Sequence, residues 1–331
     1  MHRRILTAIS ALLLAALLGA DPKRTPAPPR LPTPSPPVRR IAVTFDDLPG
    51  VSVAGDGTAR PLDAMTARLI DAIAASGAPV VGFVNEGKLY AGERLDPKRV
   101  ETLRRWTDAG YELGNHTRDH VSLHNTDLFA FEDQIARGET VAKELDAEHG
   151  RRLRFFRHPY LQTGRDLVTR DAVVAYLAGR GYTVAPVTID NSEWIFARAY
   201  ANAAVRNDTE LAGRVAAAYV PYMESKLDYY ERQSKGLFGR EIAQVLLVHA
   251  NSLNADHFGE LAKMMKARSY SFVPLDEALA DDAYRTADSY TGAGGITWLH
   301  RWALTRDKAL VLPNEPRTPA WVMETARVDS E

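Results

Sequence analysis

From Arg40 onward the chain alternates short runs of apolar and β-branched residues with longer stretches in which apolar positions recur every three or four residues. The short runs predict seven strands: Ile41–Phe45, Val80–Val84, Tyr111–Leu113, Leu153–Phe156, Thr183–Ile189, Val245–Val248 and Tyr270–Val273. The amphipathic stretches predict helices over Leu62–Ala75, Pro97–Ala109, Leu128–Glu148, Arg170–Arg180 and His257–Arg268. Gly77, Gly110, Gly150 and Gly181 stand where four of these helices should stop. Strand–helix alternation of this kind builds parallel strands with crossover helices, which leaves a closed barrel or an open doubly wound sheet.

Polar residues choose between the two. Asp46-Asp47 follow the first run, His116 the third, Arg157 the fourth, Asp190 the fifth and His249 the sixth. Reactive groups at the carboxyl ends of separate strands are what a barrel mouth collects, whereas a doubly wound sheet gathers them at one switch point. No glycine-rich phosphate loop follows any predicted strand, so nucleotide binding has no support.

Two segments break the rhythm. Between Trp194 and Gln244 the chain runs about fifty residues, mostly a helix opened by Asn207-Asp208-Thr209-Glu210, with Leu211, Val215, Tyr219, Met223, Leu227 and Tyr230 near helical spacing. This stripe reads as core packing, with a roof over the site as the alternative. Beyond Leu275 comes a tail containing Gly292-Ala293-Gly294-Gly295, then Trp298 and Trp302. The two tryptophans read as anchors for the tail, with stacking on a sugar as the alternative.

Composition narrows the setting. The 331 residues carry a net charge of −1 with both signs interspersed, which argues against a nucleic-acid binder or an electrostatically held membrane protein. There is no cysteine, so a metal would have to use nitrogen and oxygen ligands, and lipid attachment of the bacterial lipoprotein type is excluded. His2-Arg3-Arg4, an apolar run from Ile5 to Leu18 and then Gly19-Ala20 make residues 1–20 a signal peptide for export to the periplasm or beyond. The run is short for a membrane span; Leu18, where a small residue is preferred, leaves an uncleaved anchor as the alternative. No stable membrane insertion is expected once the signal is cleaved. Residues 21–39 are rich in proline and read as a stiff linker.

Candidate chemistry begins with Asp46-Asp47 and with His116-Thr117-Arg118-Asp119-His120. Two imidazoles four residues apart point the same way on one helical turn, and a carboxylate from elsewhere completes a two-histidine, one-carboxylate metal set with positions open for water and substrate. Such a site favours hydrolysis.

Five motifs in order give the chain a family resemblance: Thr44-Phe45-Asp46-Asp47, His116 to His120, Arg157-His158-Pro159-Tyr160, Asp190-Asn191-Ser192-Glu193-Trp194 and Leu247-Val248-His249. With them the chain resembles the polysaccharide deacetylase family, the NodB homology or carbohydrate esterase family 4 domain, over residues 40–280, with 281–331 as a C-terminal extension packed on it. The resemblance implies a distorted (β/α)7 barrel. It makes Asp47, His116 and His120 ligands of Zn²⁺ or another divalent cation such as Co²⁺, Asp46 the general base and His249 the acid that protonates the leaving amine. Arg157 would hold Asp46 ionised through a charge-assisted hydrogen bond, and the Tyr160 backbone N–H would face the oxyanion. Pro159, Tyr160 and Trp194 fall on the substrate side.

Two departures stand out. The family commonly reads Arg-Pro-Pro-Tyr-Gly where this chain has Arg157-His158-Pro159-Tyr160-Leu161, and His158 reads as a packing residue. An aspartate usually precedes the tryptophan, where this chain has Glu193; Glu193 is expected to orient His249, with Asp190 as competitor. His124 is left outside the ligand set. The expected activity is an exported, metal-dependent deacetylase of an acetylated poly- or oligosaccharide. A hydrolase of a non-carbohydrate amide and a catalytically silent glycan-binding module are the rivals.

Overall fold

A computed structural model describes residues 39–51 and 62–331. The expected signal peptide, and the linker up to residue 38, lie outside the described residues. The barrel begins with β1 (Arg39–Leu48), α1 (Leu62–Ser76) and β2 (Val80–Val84), then a small antiparallel pair, β3 (Tyr90–Ala91) and β4 (Arg94–Leu95). It continues through α2 (Pro97–Asp108), β5 (Glu112–Asn115), α3 (Leu128–Arg137), α4 (Thr140–Glu148), β6 (Phe155–Phe156), α5 (Leu167–Gly179) and β7 (Thr183–Val184). After α6 (Glu193–Val205) and the 30-residue α7 (Thr209–Phe238) come β8 (Gln244–His249), α8 (Ser252–Ala267), β9 (Tyr270–Phe272), α9 (Leu275–Leu279), α10 (Trp298–Arg306) and α11 (Ala320–Ala326).

The seven-stranded main sheet is parallel throughout, ordered β7-β6-β5-β2-β1-β8, with β9 also pairing β1. It curls until its two ends meet. Past β7, Ala185 N–H donates to Phe156 O, while Ile189 N–H donates to Val245 O and Leu247 N–H to Ile189 O. One stretch of chain thus touches β6 at its start and β8 at its finish. The architecture is the distorted (β/α)7 barrel, built as a curled parallel sheet with helices outside.

Strand alternation sorts β1 into two faces. Ile41, Val43 and Phe45 pack outward into the helical layer, where Phe45 meets Trp106 and Phe258 at ring distances of 5.6 and 5.4 Å. Ala42 faces inward with Val81, Phe83, Phe155, Ala185 and Val245. Two residues further along the inward face is Thr44, and two beyond that Asp46, so the barrel interior changes from apolar to ionisable toward its mouth.

Side-chain caps explain most helix starts: Asp96 caps α2 ahead of Pro97, Asp127 caps α3, Asp166 caps α5, Asp208 caps α7 and Asn251 caps α8. These caps begin α5 and α8 earlier than the apolar spacing indicated. The expected helix over Leu128–Glu148 breaks at Gly138 into α3 and α4. Val215, Tyr219, Met223, Leu227 and Tyr230 of α7 are buried, as are Trp298 and Trp302 of the tail. Trp302 sits edge-on to Phe238 and Tyr284, which ties α10 to the barrel and to the end of α7. No helix among the described residues is long and apolar enough to cross a membrane.

Candidate active site

The mouth is built first from the end of β1. The register between β1 and β2 shifts between Phe45 and Leu48, and Asp47 adopts a left-handed φ of 72°. That irregularity turns Asp47 away from its neighbour. Asp46 stays in register, paired directly with His249 on β8, and is buried.

His116 and His120 arrive differently from the expectation. They occupy a loop after β5, not one turn of a helix, with left-handed φ of 64° at Thr117 and 54° at His120. The loop is held from behind: Asn115 Oδ1 accepts from Thr117 N–H at 2.8 Å, and Arg118 N–H donates to Gln134 O of α3 at 3.0 Å. Gly138, where the long helix breaks, makes room for it, because a Cβ there would lie 2.8 Å from Arg118 N. Tight loop geometry therefore does what helical spacing was expected to do, and the imidazole centroids end 4.9 Å apart.

Asp47, His116 and His120 offer three ligand atoms all within 4.8 Å of one another. His116 Nδ1–H donates to Arg157 O at 2.8 Å, which fixes the tautomer and leaves the Nε2 lone pair facing the cluster. Nε2 of His116 and of His120 stand 3.9 and 3.6 Å from Asp47 Oδ1, an oxygen that is buried without a hydrogen-bond partner. Burial pushes both imidazoles down to about 4, so both are neutral near pH 7. Burial alone would raise Asp47, but Lys88, then His249 and the two ligand histidines, hold its carboxyl well below the usual range. A carboxylate and two neutral imidazoles with an unsatisfied oxygen at their centre fit a divalent transition-metal ion.

Lys88 had no place in the sequence reading. Its Nζ lies 3.4 Å from Asp47 Oδ1 and donates to Asp47 O at 3.1 Å. The pairing depends on a one-turn 3₁₀ segment, Glu86–Leu89, for which no motif stands in the chain.

Asp46 is where the expected detail changes. Arg157 lies fully buried with its guanidinium over the Phe83 ring, but Nη1 is 3.7 Å from Asp46 Oδ2, an ion-pair contact and not the expected hydrogen bond. Nη2 donates instead to Thr44 Oγ1 at 2.9 Å. Burial outweighs Arg157, and the Asp46 carboxyl is raised from its ordinary value.

His249 Nδ1 lies 2.9 Å from Glu193 Oε2. Glu193 is buried in the first turn of α6, and its other oxygen accepts from Asn251 and, at 2.8 Å, from Asn254. Burial alone would lower His249; the Glu193 hydrogen bond and charge, then Asp47 and Asp46, push it up to about 9. Asp190 does not contact His249 in this way. It accepts from Asn191 N–H at 2.8 Å, and burial raises it to about 6. The two asparagines that fix Glu193 were legible only as the cap of α8, an Asn-x-x-Asn one residue beyond the fifth motif.

Of the remaining candidates, Tyr160 lies on the site's rim with a left-handed φ of 56°, edge-on to His120 at 4.4 Å. Trp194 lines the cavity, and Pro159 is buried as the start of the turn that presents Tyr160. His158 packs against Phe131 and Phe156, as a packing residue should. The cavity itself measures about 1370 Å³ and reaches from Asp46, Asp47 and His249 across to Lys226, Tyr230 and Glu315.

Comparison with known proteins finds similarity in part of the chain. No curated protein matches the chain. Three solved structures of similar outline are a chitin deacetylase from the fungal pathogen Colletotrichum lindemuthianum, a family 4 carbohydrate esterase from Streptomyces lividans in complex with acetate, and a family 4 pseudoenzyme from Bacillus anthracis. The first is 21% identical, with a TM-score of 0.47 over 74% of this chain and 88% of its own. The second is 17% identical, with a TM-score of 0.43 over 72% and 95%, and the third 13% identical, with 0.43 over 74% and 66%. Residues 33–180, which hold the first three of the five motifs, match the family model for polysaccharide deacetylase.

Proposed function

We propose that this protein is a divalent-metal-dependent deacetylase that hydrolyses N-acetyl groups on a glycan. The observation that carries the reading is the register pairing of Asp46 with His249 across β1 and β8, directly beside the cluster of Asp47, His116 and His120. A base and an acid thereby flank the place where a carbonyl would be attacked. When bound, Zn²⁺ or a similar ion would polarise the acetyl carbonyl and bring the pKa of water at the site toward neutrality.

The chain's own groups account for the proton traffic. Asp46, raised by burial, is a stronger base than an exposed aspartate and takes the proton of the attacking water. His249 remains protonated at neutral pH and gives its proton to the departing nitrogen; an amine needs that proton more than an alcohol does, which favours N-acetyl over O-acetyl substrates. Glu193 holds the imidazolium by Nδ1 and leaves Nε2 to face substrate. The Tyr160 backbone N–H is the residue-borne donor for the oxyanion. The pattern of residues 1–20, read as an export signal, supports an activity outside the cytoplasm.

The deciding experiment is acetate release by the Zn²⁺-loaded protein across acetylated glycans. Release from at least one N-acetylated glycan is expected. No release from any, with metal occupancy verified by elemental analysis, would overturn the reading.

A further inference from the structure

Outside residues 33–180, α7 and the C-terminal extension build the opposite wall of the cavity. The wall is pinned to the Tyr160 turn. Arg301 of α10 is buried and donates to Leu161 O at 3.1 Å and to Thr163 Oγ1, while Gly295 runs so close to Tyr160 that a Cβ there would meet its carbonyl oxygen at 2.0 Å. Only a glycine lets the tail pass.

Within this wall sits a charged cluster that the proposed chemistry does not use. Lys226 of α7 is buried and its Nζ donates to Glu315 Oε1 at 2.6 Å; Tyr230 OH donates to the same oxygen at 2.7 Å. Both bonds fall on Oε1. Glu315 keeps 34% of its side chain exposed and lines the cavity, and with both bonds on Oε1 its second oxygen is the one left to accept from a ligand. A buried ion pair costs desolvation that its mutual attraction only partly offsets, so fold stability gives little reason for this one to line a cavity. At about 1370 Å³ the cavity also exceeds the roughly 300–1,000 Å³ typical of a single small ligand.

We propose that Glu315, clamped by Lys226 and Tyr230, binds hydroxyl groups of the sugar ring next to the one being deacetylated. The inference rests on the deacetylase reading and names its substrate more closely: an oligosaccharide of at least two rings. The Lys226 charge is neutralised by Glu315, so the position takes a neutral, hydroxyl-bearing ring and not an anionic one.

The test compares β-linked N-acetylhexosamine monomer and dimer on the metal-loaded full chain, and in parallel measures binding of both saccharides to metal-free protein by calorimetry. In the unaltered protein kcat/KM and affinity should each favour the dimer, and Glu315→Gln should cut that preference about tenfold, the worth of one hydrogen bond to a charged group. Because Glu315→Gln strands a buried ammonium, the double variant Lys226→Met/Glu315→Gln is measured beside it. It should lose the same preference with the same melting behaviour as the unaltered protein. Hydrolysis with a dimer preference that survives both variants overturns the second position and leaves the deacetylase reading standing. Glu315-dependent dimer binding without hydrolysis does the reverse. A preference for a dimer whose second ring is a uronate also overturns the proposal.

Discussion

Glu193 and His249, separated by 56 residues in the chain, meet at 2.9 Å through Oε2 and Nδ1, and the carboxylate is itself held by Asn251 and Asn254. His249 is thereby pushed above the ordinary histidine value of 6.5 to about 9, so its acid form persists through neutral pH and is lost only as pH rises through 9. Glu193→Gln removes the negative charge that favours imidazolium, and the alkaline limb of the kcat/KM profile should move down by about one pH unit or more. The same linkage acts on stability. A folded-state pKa above the unfolded one stabilises the protein fully below pH 6.5 and ceases to do so as pH passes 9, so melting temperature should fall across that window and fall less in Glu193→Gln. An alkaline limb that stays put in Glu193→Gln and moves in Asp190→Asn would transfer the orienting role to Asp190.

Removal of the metal should abolish hydrolysis, and Zn²⁺ or Co²⁺ should restore it. His116→Ala and His120→Ala are expected to lose the ion while the barrel persists, because the loop carrying them is fixed from outside the cluster by Asn115, Gln134 and the Gly138 break. Thermal melts provide the second measurement. The unaltered protein should gain melting temperature with added Zn²⁺, since an ion that binds only the folded state stabilises it by mass action, and the two variants should not. Full activity after chelation, with no metal detected, contradicts the site.

Asp46 and Asp47 should separate in function although they adjoin in sequence. Asp46→Asn should retain metal and lose about 10² to 10⁴ in kcat, the usual worth of a positioned proton-transfer group. Asp47→Asn should weaken metal binding first, because its Oδ1 is the carboxylate oxygen facing both imidazoles. Equal metal content and equal rate loss in the two variants would reject the division.

Much of this site was legible in the chain because strand order and strand ends are written locally. Apolar runs mark the seven strands, although the one expected over Thr183–Ile189 keeps strand pairing only at Thr183–Val184, and the polar residues that follow them include Asp46, Asp47, His116, Arg157 and His249, since in a parallel barrel every strand ends at the same mouth. What was not legible depends on contacts between distant segments. The His116–His120 spacing matched a helix, yet Asn115 and the space left by Gly138 impose a loop. The family resemblance pairs Arg157 with Asp46, yet Thr44 on the inward face of β1 accepts the hydrogen bond from its Nη2. Asn251 and Asn254 carry no sign of Glu193, and Lys226 none of Glu315, because neither partner is within fifty residues of the other.

Lys88 supplies the last prediction. Its ammonium stands 3.4 Å from Asp47 Oδ1, the oxygen that would also have to bind the cation, so it occupies one side of the ligand and repels the incoming charge. Unit charges about 4 Å apart interact by about 4 kcal/mol at an effective dielectric of 20, and solvent at the partly exposed Lys88 side chain screens a large part of that. Lys88→Met should therefore bind Co²⁺ or Zn²⁺ about tenfold more tightly, read by direct metal titration without reference to turnover. Lys88→Arg keeps the charge and should restore the weaker binding. The opposing view is that Lys88 helps affinity by seating Asp47 through the backbone bond to Asp47 O at 3.1 Å. In that case Lys88→Met binds metal less tightly than the unaltered protein, and the sign of a single titration separates the two.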